Sequence, residues 1–162
     1  MSVITKATPA KESRTRESQK IAYMYAAILI VFALTQLFNF DEFLELLESF
    51  WLPGGVPVAN LLGSMIVVSE IMALPFLLRM QLSPLMRIIS MVFGWLTPLI
   101  WLKLALWLNL TVNAVSNMGF LGTTVHLTPG WWAVFFSVAI GILAAWASWG
   151  LWPFAVKRKN KK

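Results

Sequence analysis

The chain has 162 residues, 59% hydrophobic and 12% charged, with a net charge of +6 and a mean hydropathy of +0.73. Soluble domains carry about a quarter charged residues, so this composition belongs to a membrane protein. Zero cysteines and one histidine exclude a disulfide, a thiolate metal site, an iron–sulfur cluster, c-type haem and a haem held by two of the chain's own imidazoles.

Residues 1–20 are polar and mixed in charge, and read as a mobile basic tail with helix expected from Ser13. Residues 21–38 carry no charge and, at 1.5 Å per residue, are just long enough for a first membrane span. The next segment places Phe40, Phe43, Leu44, Leu47 and Phe50 opposite Asp41, Glu42, Glu45 and Glu48. That spacing predicts a short amphipathic interfacial helix over 41–52, stopped by Pro53-Gly54-Gly55. A second span covers 57–78, and a short link makes the third, 84–108, its antiparallel neighbour, with a kink expected near Pro98. A loop rich in Asn, Thr and Gly leads to a fourth span at 131–152. There Ser137, Gly141, Ala145 and Ser148 form a small-residue packing stripe. Residues 153–162 are a basic tail.

Twelve of the thirteen basic residues lie on the tails, on the link between spans two and three, or at the start of span three. The connections after spans one and three hold no Lys or Arg, and the first holds four of the seven acidic residues. Short Lys/Arg-rich loops stay in the cytoplasm. The fold expected is therefore an all-α integral membrane four-helix bundle with both termini cytoplasmic. The basic residues lack aromatic interleaving, so they read as topology signals and anionic-lipid contacts rather than a nucleic-acid surface.

Glu70 is the charge to explain, because a carboxylate inside a span costs a few kcal/mol to insert. Asn60, Gly63, Ser64 and Glu70 share one arc of the second span, expected to face the bundle interior. Arg87, Ser90, Gly94, Thr97 and Trp101 share a stripe of the third, and a Glu70–Arg87 ion pair is expected, fixing register or handling a proton or ligand. Lys103 points away from that stripe and is expected to snorkel or to meet a partner subunit. Gln36 and Asn39 close the first span on one face, as interhelical glue or as contacts to a polar headgroup such as a quinone ring. His126 stands alone in a loop, and no metal motif or catalytic carboxylate pair is present.

The run Ala33-Leu34-Thr35-Gln36-Leu37-Phe38, the amphipathic segment Phe43 to Pro53, and Glu70 in the second span resemble the DoxX/MauE-like family of four-helix membrane proteins. The resemblance covers about residues 28–80. Gln36 stands where that family frequently has a lysine, which removes a charge that could have partnered Glu70. The resemblance implies an accessory or membrane subunit of a quinone-linked redox system, with candidate ligand contacts at Glu70, Gln36, Asn60, Ser64, Arg87 and Thr97 and a quinone or lipid as ligand. Two other readings stay open: a structural subunit packing against other membrane subunits, and a small-solute or proton carrier using Glu70.

Overall fold

The computed structural model describes residues 7–10, 12–111 and 115–152. The basic C-terminal tail, the first six residues, Lys11 and part of the loop after the third span lie outside the described residues. Five helices follow in order: α1 (Arg16–Phe38), α2 (Phe40–Glu48), α3 (Gly55–Leu77), α4 (Pro84–Thr111) and α5 (Trp131–Leu151). Among the described residues the fold is all-helical, apart from one isolated backbone bridge between Thr8 and Leu82. Helices α1, α3, α4 and α5 are long and apolar enough to cross a membrane. They form a ring in which α1 packs on α3, α3 on α4, α4 on α5 and α5 on α1.

Helix boundaries follow local chemistry. Helix α1 starts at Arg16, ahead of the expected span, because Thr15 caps it. The Thr15 hydroxyl oxygen accepts from the Ser18 N–H at 3.1 Å, and the Ser18 hydroxyl oxygen accepts from the Thr15 N–H at 3.3 Å. This reciprocal capping box satisfies two otherwise orphaned donors. Helix α2 ends at Glu48, short of the expected 52, and Trp51 turns into the left-handed region at φ 50°.

Both internal prolines sit in continuous helices, and beside each a side chain from a neighbouring helix bonds the backbone. Pro98 has no N–H for the Gly94 carbonyl one turn earlier. The Tyr25 hydroxyl donates to that carbonyl instead, at 2.5 Å. On α3 the ladder is interrupted beside Pro75. The Phe76 N–H donates to the Ser90 hydroxyl oxygen at 3.0 Å, and that hydroxyl reaches the Met72 carbonyl at 2.6 Å. Ser90 thus bridges a donor and an acceptor that an unbroken helix would join directly.

The core runs through Tyr25, Leu29, Phe32, Ile66, Ala73, Trp101, Leu104, Ile140 and Ala144, all buried. Leu34, Phe38, Leu61, Val68, Leu99, Phe135 and Ile142 lie exposed around the outside of the ring. An apolar exterior of that extent is a lipid-facing surface, and the chain is a multi-pass membrane protein.

The described part of the N-terminal segment, residues 7–10 and 12–15, is docked at Thr8 and Arg14, although the sequence reads as a mobile tail. Thr8 exchanges backbone hydrogen bonds with Leu82 at 3.1 and 3.3 Å, and the Arg14 N–H donates to the Gly150 carbonyl at 3.0 Å. The Arg14 guanidinium lies over the Trp149 ring at 4.4 Å. The α3–α4 link and the end of α5 have backbone groups to satisfy, and this segment supplies the partners.

At the other end of the ring, α2 buries Phe43 and Leu47 and exposes Asp41, Glu42 and Glu45. It lies against Gly63 of α3, where a side-chain methyl would come within 2.6 Å of Leu44 Cδ2 and 2.9 Å of Leu47 Cδ1. Glycine is what allows the approach. The loop after α4 folds inward over α1. Asn117 organises it, donating to the Gly122 carbonyl at 2.9 Å and accepting from the N–H groups of Gly119 and Leu127 at 3.1 and 3.2 Å. Gly122 sits at φ 59° against the Thr35 carbonyl, where a methyl would come within 2.7 Å.

Candidate functional site

Glu70 is fully buried on α3, at the level where Ser69 meets Thr97 of α4 through a 2.9 Å hydroxyl–hydroxyl contact. Its Oε1 accepts from Gln36 Nε2 of α1 and from Trp101 Nε1 of α4, each at 3.3 Å. Gln36 Nε2 also donates to the Phe120 carbonyl at 3.1 Å, so both its N–H groups are used. A flipped amide would set the Gln36 oxygen against two acceptors, so this network fixes its orientation. Three helices and the inward-folded loop therefore converge on one carboxyl group.

Aromatic rings close the site. The Phe120 ring lies 4.6 Å from that of Trp101 and 5.8 Å from that of Phe32. It packs edge-on to Phe136 at 5.1 Å and stands 5.9 Å from Trp132. Inside this apolar enclosure, Glu70 Oε2 and Gln36 Oε1 are both buried, and neither has a hydrogen-bond partner. A buried acceptor left unpaired costs about 1–3 kcal/mol, so each of the two is suited to take a proton or a hydroxyl donor.

The expected Glu70–Arg87 ion pair is not formed. Thr97, opposite Ser69, is ten residues beyond Arg87 along α4, which separates Arg87 from Glu70's level by about 15 Å. No arginine spans that gap. Arg87 is half-buried at the end of the bundle near the termini, where its Nη2 donates to the Thr8 carbonyl at 3.2 Å. Trp101, one turn past Thr97 in the opposite direction, takes the place expected for the arginine.

The remaining candidates scatter. Ser64 is exposed and its hydroxyl donates to the Asn60 carbonyl at 2.9 Å, so it does not face the interior as expected. The helical arc was read too wide. Asn60 is half-buried with its own Oδ1 unpartnered, but it lies ten residues, or about 15 Å, along α3 from Glu70. Thr97 is buried and engaged with Ser69 and with the Phe93 carbonyl at 3.4 Å, which makes it packing polarity next to the site. Asn39 donates to Glu42 Oε2 at 3.1 Å, outside the cluster. Lys103 and His126 are exposed, and neither is among the partners of Glu70. Among the described residues no group of three His, Asp or Glu side chains could hold a metal ion.

Trp101 and Phe120 were not among the candidates. Trp101 lies on the stripe read from the sequence with Ser90, Gly94 and Thr97, but the partner expected for Glu70 was Arg87. Phe120 gave no signal, because its place depends on loop geometry. No family model, no characterised protein and no solved structure matches this chain.

Proposed function

We propose that this protein is a DoxX-like inner-membrane accessory of a quinone-linked redox system, and that the Glu70–Gln36 pair receives the polar ring of a quinol. Both termini and the Arg79–Arg87 link face the cytoplasm in this reading, as the concentration of Lys and Arg at that end favours. Helix α2, with its acidic face outward, and the Phe120 loop then cover the site from the opposite side, α2 lying along the membrane interface. The observation that carries the proposal is the pair of buried, unpartnered acceptors, Glu70 Oε2 and Gln36 Oε1, within an aromatic enclosure. Acceptors call for a donor, and a quinol hydroxyl provides one where a quinone carbonyl does not. The Phe120 ring fills the space beside Trp101 and moves with its loop when a ligand ring enters.

Solvent extraction of the protein purified in mild detergent, followed by mass spectrometry, tests this. Wild-type protein is expected to retain quinol, detected as quinol or as the quinone it oxidises to on extraction, in near-stoichiometric amount, and Glu70→Gln and Gln36→Leu to lose it while staying folded. A folded wild-type protein with neither bound quinone nor a co-purifying redox partner would overturn the proposal.

A further inference from the structure

A second site lies apart from Glu70, on the lipid-facing side of the bundle. A groove of about 510 Å³ runs between α3 and α4, walled by Val58, Leu62, Ile100 and Leu104 and roofed by Leu52 and Pro53. Trp107 closes one side and ties the roof to the wall, its indole N–H donating to the Phe50 carbonyl at 3.0 Å. The volume falls in the range of about 300–1,000 Å³ typical of ligand pockets. All of these walls are apolar, and the one charge in the groove is Lys103.

Lys103 is the only lysine or arginine between Arg87 and Lys157. It is exposed, and among the described residues no carboxylate, carbonyl or hydroxyl accepts from it. It stands eight residues before the end of α4, about 12 Å along the helix axis. An ammonium at that depth beside hydrocarbon is costly by a few kcal/mol unless it meets an anion or reaches the interface. The groove leads from Lys103 toward Trp107 and Pro53, giving the side chain an apolar-walled path along which to meet one. The occupant that satisfies both features carries a negative charge on an apolar body.

We propose that this groove is a specific binding site for an anionic phospholipid, with the phosphate paired to Lys103 Nζ and the apolar portion against Val58, Leu62, Ile100 and Leu104. Charge complementarity favours a lipid here over an uncharged apolar helix, which would leave the ammonium buried and unpaired. A zwitterionic lipid of the same chains fits the groove but brings a competing cation.

The full-length chain reconstituted in nanodiscs of equal phosphatidylglycerol and phosphatidylcholine, with matched acyl chains, provides the test. Lipids retained after gentle release are read by native mass spectrometry. Wild-type protein is expected to hold phosphatidylglycerol preferentially. Lys103→Gln is expected to lower that preference about fivefold or more, the equivalent of about 1 kcal/mol per lysine, and Lys103→Arg to keep it. Leu62→Trp, which fills the groove and leaves the charge, is expected to lose it as well. Lys20→Gln, at the far end of the bundle, is expected to leave it unchanged. The proposal fails if wild type shows no preference, if Lys103→Gln retains it, or if Lys20→Gln lowers it equally.

Discussion

Replacing Ser90 with alanine removes the hydroxyl that bridges the proline-interrupted ladder of α3. Two backbone groups then lose a partner: the Phe76 N–H, now bonded at 3.0 Å, and the Met72 carbonyl, now bonded at 2.6 Å. Hydrogen bonds measured within membranes are worth about 0.6 kcal/mol on average and up to about 1.7. Unsatisfied buried groups cost about 1–3 kcal/mol in soluble proteins. Two bonds lost together should therefore cost about 1–3 kcal/mol, while removal of one buried oxygen changes packing little. Pro75→Ala changes the arithmetic, because it restores an N–H to the ladder and lets Phe76 reach Met72 directly. In that background Ser90→Ala should cost less than about 0.5 kcal/mol, close to the limit of simple additivity. Reversible unfolding by sodium dodecyl sulfate in mixed micelles, followed by far-UV circular dichroism, measures all four corners of the cycle. An equal cost of Ser90→Ala in both backgrounds would refute the bridging role.

Tyr25→Phe should destabilise by about 1–2 kcal/mol in the same assay, since Pro98 leaves the Gly94 carbonyl without its regular helical donor. Pro98→Ala should shrink that cost by returning the backbone donor. A methyl on Gly150 would overlap Ser18 Cβ, whereas one on Gly94 would meet Ala73 Cβ at an ordinary 3.6 Å. Gly150→Ala should therefore lose about 1–3 kcal/mol as α1 and α5 are forced apart, with Gly94→Ala near neutral; equal effects in the unfolding assay would contradict the close α1–α5 approach.

The four apolar runs were legible because a bilayer demands length and hydrophobicity of any helix that crosses it, and both are properties of a linear stretch of chain. The same holds for α2, whose alternation of Phe43 and Leu47 with acidic residues is a local periodicity. Glu70 stood out for the same reason, as a charge inside an apolar run. Its partner did not. Helical arithmetic placed Arg87 and Trp101 on one stripe of α4, but which of them meets Glu70 depends on the longitudinal register of α3 against α4. Ser69 opposite Thr97, Ala73 against Gly94 and Ser90 in the α3 ladder set that register. The repair of Pro75 by Ser90 and of Pro98 by Tyr25 was equally hidden, since donor and acceptor lie on different helices. Phe120 reaches the site through a loop held by Asn117 hydrogen bonds and two left-handed glycines. The sequence by itself determined which segments enter the membrane and where the buried charge lies, because both follow from transfer of residues out of water. Only the tertiary structure decided what that charge touches, because contacts between helices depend on axial offset and rotation, which no single helix encodes.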